Sequence, residues 1–265
     1  MEERKMKPDY RNWIPKGMLN FFKALTVLLL ALLGISSISF EGTLRTVLVI
    51  IFAFAAIVCA KTTQWCTMAY NAFSYDGKRK LSRDVIEGTA SFVTLPEGGK
   101  ALDVGCGSGA LAIAVAKNNP QGSVIGIDRW GKEYASYSLP LCKKNAEAEG
   151  VKNVTFQQGD ATHLDFPDET FDAVTSNYVY HNITGKDKQK LLLETLRVLK
   201  KGGTFAIHDL MSKRRYGDMD AFVKKLYSMG YEKVELIDTT DGLFMTKKEA
   251  GRLMLKGSML LIGKK

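Results

Sequence analysis

Hydrophobic positions follow one pattern before about residue 80 and another after it. No residue is charged from Ala24 to Phe40, nor from Thr46 to Ala60, and only Glu41–Arg45, a turn-like break containing a glycine, lies between these runs. As helices they would be roughly 26 and 22 Å long, at the short edge for a bilayer core of ~30 Å. Lys23, Arg45 and Lys61 stand at the run ends, where their side chains can snorkel, and Leu19, Phe21 and Phe22 extend the first run. The pattern predicts a transmembrane helical hairpin over residues 24–60. A hairpin dipping into one leaflet is the nearest rival, because both runs are short. A cleaved signal peptide would leave the second run unexplained, and neighbouring charge-free runs are unusual in a soluble helical pair.

From residue 81 short apolar runs alternate with helical periodicity. Leu81, Val85, Ile86, Ala90 and Val93 recur at helical spacing. Strands are predicted at 100–104, 123–128, 153–157, 171–176, 204–208, 233–237 and 259–262. Helices fall at 109–117, at 134–149 with a kink at Pro140, at 186–199 and at 219–229, and 247–255 reads as a short basic amphipathic segment. This alternation predicts an α/β fold with a doubly wound, mainly parallel sheet. The organisation read from the chain is an arm (1–23), the hairpin (24–60), a juxtamembrane linker (61–80) and an α/β domain (81–265).

The 265-residue chain has a formal net charge of +9, which on its own would suggest a nucleic-acid partner. The distribution argues otherwise. Residues 1–23 carry +3 and residues 61–83 carry +4, which leaves +2 for residues 84–265. The basic residues therefore flank the apolar runs, as the positive-inside rule and anionic headgroups favour, and they put the arm and the α/β domain on the cytoplasmic side of an integral membrane protein. Cys59, Cys66, Cys106 and Cys142 have neither metal-ligand spacing nor a paired framework, so they read as reduced thiols, and no metal is expected.

The chemistry is concentrated in Ala101–Ala110, ALDVGCGSGA. Gly105, Gly107 and Gly109 crowd a turn between a predicted strand and a predicted helix, where a ligand can approach the backbone and meet unpaired helix-start amides. Asp128 ends the next strand, in position to accept from two ribose hydroxyls. Gly105, Gly107 and Ala110 alone would satisfy a dinucleotide fingerprint, and hence an NAD-linked reductase. Asp103 argues against it. A pyrophosphate gains nothing from a carboxylate at the turn, whereas an ammonium and a sulfonium do.

Read as D-x-G-x-G-x-G, the turn resembles motif I of the class I S-adenosylmethionine methyltransferases. Gly159-Asp160-Ala161 leading into His163–Asn177, and LRVLKKGGTFAIHD at Leu196–Asp209, resemble two further segments of the group that includes the ubiquinone and menaquinone methylases. Asp165 and Lys201 stand where that group usually has proline. The resemblance covers roughly residues 80–265 and implies a seven-stranded sheet with the last strand inserted antiparallel. It also implies S-adenosylmethionine as cofactor, with Asp103 at the methionine end, the Gly105, Cys106, Gly107 and Gly109 backbone against the cofactor, and Asp128 on the ribose. Asp160 and Ala161 would meet the adenine edge, and Asn177 would lie near the methionine. Arg129 or Trp130 could cover the adenine face.

Methyl transfer needs a base only when the acceptor must lose a proton. His181 is the first candidate, with Tyr178 and Tyr180 shaping the acceptor pocket, and His208-Asp209 at the end of the fifth strand is the second. A hydrogen-bonded structural role is the competing reading for each histidine. The expected activity is methyl transfer to a lipid or other hydrophobic small molecule at the membrane. A nucleic-acid methyltransferase is disfavoured by the near-neutral domain and by Ser176-Asn177-Tyr178-Val179, which lacks the prolines that hold a flipped base. A non-enzymatic scaffold would not need the glycines and acids together.

Overall fold

The computed structural model describes residues 6–131 and 136–265. It divides into two compact units, one of residues Arg11–Ser82 and one of Arg83–Lys265 together with the chain start through Tyr10.

The first unit contains two long helices, α1 (Lys16–Ser39, 24 residues) and α2 (Gly42–Phe73, 32 residues). Only Phe40 and Glu41, both extended, separate them. The helices outrun the charge-free runs because backbone hydrogen bonding continues through polar side chains. At ~1.5 Å per residue they are about 36 and 48 Å long, and both are long and apolar enough, by length and composition, to cross a bilayer. Thr26 joins them, 3.0 Å from the Thr63 hydroxyl and 3.3 Å from the Cys59 thiol. Their other faces are bare: Ile38 is 86% exposed and Phe54 70%.

The second unit is an α/β sandwich. After α3 (Leu81–Ala90) come β1 (Lys100–Val104), α4 (Ala110–Asn118), β2 (Ser123–Asp128), α5 (Leu139–Ala148), β3 (Val154–Gln158) and β4 (Phe171–Asn177). Then follow α6 (Lys188–Arg197), β5 (Leu199–Leu210), α7 (Lys213–Tyr216), α8 (Met219–Ser228), β6 (Lys233–Asp238), α9 (Lys247–Arg252) and β7 (Ser258–Lys264). The seven strands lie in the order β3-β2-β1-β4-β5-β7-β6. β7 runs antiparallel to both of its neighbours, as the class I resemblance implies. Residues 101–104 of β1 are all buried because helices cover both faces of the sheet. The chain leaves β1 for β2 on one side and returns to β4 on the other, which opens a crevice at the carboxyl ends of β1 and β4.

Two local expectations are corrected. Pro140 does not kink a helix: α5 begins at Leu139 with Ser138 as N-cap, so the proline lies in the first turn, where its missing N–H costs nothing. The Tyr134 end of that expected helix lies outside the described residues. Lys200–Gly203 is not a turn ahead of the fifth strand but a bulge within it. Phe171 pairs with Leu199 while Ala173 pairs with Thr204, and Gly202 takes φ 76°.

Candidate active site

The glycine turn is held from both sides. The Gly105 and Cys106 amides donate to the Ile127 carbonyl at 2.8 and 2.9 Å, so the turn hangs from the end of β2. Gly105 has φ 75°, and a Cβ there would run into the Val179 side chain beyond β4. At Gly107 a Cβ would meet nothing nearer than the Tyr137 ring at 3.8 Å, which leaves room for a ligand against the backbone. The Gly107 carbonyl accepts from Trp130 Nε1 (2.9 Å) and from the Cys142 thiol (3.2 Å). Burial pushes the Cys106 thiol pKa well up, so it stays protonated and contributes its backbone to the turn.

Three acids stand around the turn. Asp128 accepts from the Gly107 amide (Oδ2, 2.9 Å) and the Trp130 amide (Oδ1, 2.8 Å), and each oxygen keeps a further lone pair. Asp103, at the end of β1, is buried; its Oδ1 accepts from the Thr175 hydroxyl at 3.0 Å, and its Oδ2 has no hydrogen-bond partner. Burial raises its pKa to about 7, against the opposing Thr175 hydrogen bond. Asp160 is exposed and folded back on itself, with Oδ1 accepting from the Thr162 amide at 2.8 Å. That bond, helped by the nearby Arg129 charge, holds its pKa below the usual range. Ala161 is half-buried against the core beside it.

An orphaned buried carboxylate oxygen, an open glycine backbone and a carboxylate with spare lone pairs fit a ligand that brings an ammonium and a vicinal diol. These are the recognition features of S-adenosylmethionine, and Asp103, Asp128 and the Gly105–Gly109 backbone are the groups that would hold it. A pH dependence follows. A bound ammonium favours ionised Asp103, so binding expels the proton that this side chain holds below about pH 7. Affinity for S-adenosylhomocysteine is expected to rise from pH 5.5 to pH 7 by up to about tenfold per unit. Asp103→Asn is expected to bind more weakly and to lose this slope, which titration calorimetry would read directly.

The chain start reaches the same turn. Asn145 of α5 accepts from the Asp9 amide (2.8 Å) and donates to the Asp9 carbonyl (3.0 Å) and the Ser108 carbonyl (2.9 Å). Tyr10 adds a hydrogen bond to Glu149 at 3.0 Å. No spacing rule signals a link spanning 136 residues of sequence. Asn145→Ala leaves the buried Ser108 carbonyl without this partner, frees the part-buried Asp9 backbone, and is expected to cost about 1–3 kcal/mol, measured by thermal or denaturant melting.

Beyond β4 the chain makes one 3-10 turn, Tyr180–Asn182. His181 Nδ1 lies 2.5 Å from Asp209 Oδ1, and the His181 amide donates to Asp209 Oδ2 at 3.2 Å. Asp209 is fully buried at the end of β5. Burial alone would raise its pKa, but the hydrogen bond and charge of His181, together with the Leu210 amide, outweigh that and hold it low, so it remains a carboxylate. The His181 side chain is 17% exposed, with Nε2 left for another partner. His208, which precedes Asp209 on β5, points to the opposite face, as successive strand residues must. It is fully buried between Asn177 Oδ1 (2.8 Å) and Thr239 Oγ1 (3.0 Å), and burial lowers its pKa to about 3, so it is neutral. Asn177 is thereby tied to His208. Tyr178 takes φ 54°, bonds Ser258 through its hydroxyl at 2.8 Å, and packs between the His181 and His208 rings. Burial raises its pKa, so it stays a neutral phenol. Sequence reasoning singled out His208-Asp209 together; what it did not reach is that Asp209 pairs with His181, 28 residues away, rather than acting with His208.

Among the described residues no group of histidine, cysteine and acid side chains could hold a metal. A cleft of about 600 Å³ lined by Lys143, Glu147, Lys152 and Phe156 lies between α5 and β3, at the sheet's edge rather than at the glycine turn.

Comparison with known proteins agrees with this geometry. A family model described as a methyltransferase domain matches residues 95–254, more than half the chain. A demethylmenaquinone methyltransferase from Roseiflexus castenholzii is 30% identical over 135 residues, covering 51% of this chain and 52% of that protein. A second from Lactobacillus johnsonii is 38% identical over 109 residues, covering 40% and 42%. The chain thus spans about half the length of these curated relatives, or less. Phosphoethanolamine N-methyltransferase 2 of Haemonchus contortus, solved with S-adenosyl-L-methionine, superposes with a TM-score of 0.51 at 19% identity, covering 74% of this chain and 54% of that one; this is a likeness of fold. A family match of that extent, on a seven-stranded sheet with this glycine turn, makes the chain a member of the methyltransferase-domain family, within the class I enzymes that use S-adenosylmethionine.

Proposed function

We propose that this protein is a membrane-anchored methyltransferase whose acceptor is a hydroquinone-type hydrophobic molecule, with His181 as general base. The observation that carries the reading is the 2.5 Å pair between His181 Nδ1 and the buried carboxylate of Asp209. A buried carboxylate on Nδ1 fixes the ring orientation and the Nδ1–H tautomer, which turns Nε2 outward as a proton acceptor. Val179, two residues before His181, packs on Gly105, so the base and the cofactor turn share one loop.

The cofactor supplies an electrophilic sulfonium methyl. His181 would take the proton of an acceptor hydroxyl, which would make the acceptor ring nucleophilic toward the methyl that the bound cofactor would supply. Asp209 stabilises the imidazolium that this step forms. Tyr178, a neutral phenol, walls the site. His208 orients Asn177 and does not exchange protons, since both of its ring nitrogens are occupied. In this reading Asp160, Ala161 and Arg129 lie toward the adenine edge.

Two observations support the acceptor class and the membrane. Relatives matching 40–51% of this chain are named demethylmenaquinone methyltransferases. α1 and α2 are long and apolar enough to cross a bilayer, and most of their apolar surface is uncovered, unlike that of a soluble core helix. The basic flanks favour a cytoplasmic face for the α/β unit.

The test is incubation of the full chain with methyl-labelled S-adenosylmethionine and a reduced demethylnaphthoquinone in detergent, beside a total lipid extract. Label is expected in an organic-soluble quinone. Label confined to water-soluble products would overturn the acceptor class. Release of the protein from membranes by an alkaline wash would overturn the anchoring.

A further inference from the structure

The carboxyl ends of β5 and β6 carry two excursions whose outer surfaces take no part in the site described above, although Thr239 at the base of the second bonds His208. One, residues 211–217, follows β5 and contains α7. The other, residues 239–257, joins β6 to β7 and contains α9. They lie side by side: the Met211 amide donates to the Gly257 carbonyl at 2.8 Å, and Gly257 packs on Ser212. Because β5 and β6 are parallel, both excursions emerge on the same edge of the sheet as His181, Asp209 and the glycine turn.

Their surface combines two features that seldom occur together on a soluble face. Met254 is 71% exposed in a left-handed conformation (φ 61°), and Leu243 is 46% exposed at the tip of the β6–β7 excursion. The same two excursions carry the exposed cations Lys213, Arg214, Arg215 and Lys256. The acids of the second excursion are Asp241, which pairs with Lys247 at 3.2 Å, and Glu249 near the start of α9. The balance stays basic, in a domain that is otherwise close to neutral.

We propose that this edge docks on an anionic bilayer surface. Leu243 and Met254 enter the headgroup–acyl boundary, and the cations of α7 and Lys256 contact lipid phosphates. Exposed apolar side chains on excursions rich in exposed Lys and Arg match a negatively charged interface better than water. Docking here turns the mouth of the His181 site toward the phase in which a hydrophobic acceptor dissolves. The proposal rests on the methyltransferase reading for its purpose but not for its test.

The test uses the full chain with a single polarity-sensitive fluorophore on an introduced cysteine, the four native cysteines being buried. Met254→Cys reports the proposed surface. Lys152→Cys, exposed just ahead of β3 at the opposite end of the sheet, is the control. In vesicles of phosphatidylcholine with phosphatidylglycerol, the label at 254 is expected to shift to the blue and to be quenched by lipid-borne quenchers, and the label at 152 to do neither. In phosphatidylcholine alone the shift is expected to shrink. With K213Q/R214Q/R215Q it is expected to fall by about fivefold in partition per charge removed. Flotation with both vesicle types reports on α1 and α2 separately, so a failed anchor and a failed surface give different results. Water-like emission at 254 in the anionic vesicles would overturn the proposal. A shift indifferent to lipid charge and to the triple variant would also overturn it. So would a shift that grows with protein concentration in detergent, which would assign the surface to a second copy of the chain.

Discussion

His181→Gln is expected to lower kcat by about 10²–10⁴-fold while leaving S-adenosylhomocysteine affinity unchanged. Glutamine occupies similar space and hydrogen-bonds but cannot accept a proton at neutral pH. Asp209→Asn separates positioning from chemistry. It keeps the shape of the 2.5 Å contact but removes the charge that faces a forming imidazolium, and an amide opposite Nδ1 favours the wrong tautomer. It is expected to lower kcat by about tenfold or more, with the acceptor KM and cofactor affinity held. Steady-state rates with the reduced quinone, beside calorimetric titration of S-adenosylhomocysteine, check both variants. A merely structural role for the pair would move thermal stability and cofactor affinity instead. His208→Gln provides the contrast. Because His208 is buried and neutral, its loss is expected to lower stability through Asn177 and Thr239, with activity falling only as the folded fraction falls.

Gly105→Ala is expected to be the most damaging single-atom change in the cofactor turn. Its φ of 75° costs an alanine about 1–2 kcal/mol, and the new methyl overlaps the Val179 side chain, adding about 1–3 kcal/mol. Relief would have to come from moving the turn or the loop that carries His181, so cofactor binding is expected to weaken along with stability. Gly150→Ala is the matched control: φ is 69°, but nothing lies within 4 Å, so only the backbone cost applies. Combining Gly105→Ala with Val179→Ala removes the two closest contacts, leaving the Val179 Cβ at 3.0 Å, and is expected to restore part of the loss. Melting temperatures and cofactor titrations across this set form a double-mutant cycle. Additive effects would show that Gly105 and Val179 do not press on each other.

How far the chain could be read without its fold differs from segment to segment. Lys100–Val104 and Ser123–Asp128 were predicted residue for residue, because each is an apolar run that ends at an abrupt change of chemistry. β5 was read short, since Lys200–Gly203 has the composition of a turn. Only pairing with β4 draws it into the strand as a bulge. α7 and the 3-10 turn at Tyr180–Asn182 are too short for any periodicity to register. α1 and α2 were read short for a different reason. Apolarity marks what a bilayer core favours, while helix length is set by backbone hydrogen bonds that do not stop at Lys61.

What the sequence determined by itself was the local chemistry: a strand, a left-handed glycine turn, a helix start, and acids at successive strand ends. These features are written within a few residues of one another, where spacing fixes geometry. The tertiary structure decided which of those groups meet. It buried Asp103 with one oxygen unpartnered, joined Asn145 to both the chain start and the glycine turn, and divided His208 from Asp209 onto opposite faces of β5. Of the two candidate bases, it gave a buried carboxylate to His181 and closed both nitrogens of His208. The reason is physical. Burial and pairing between residues distant in sequence belong to the packed sheet, and no period or spacing along the chain encodes them.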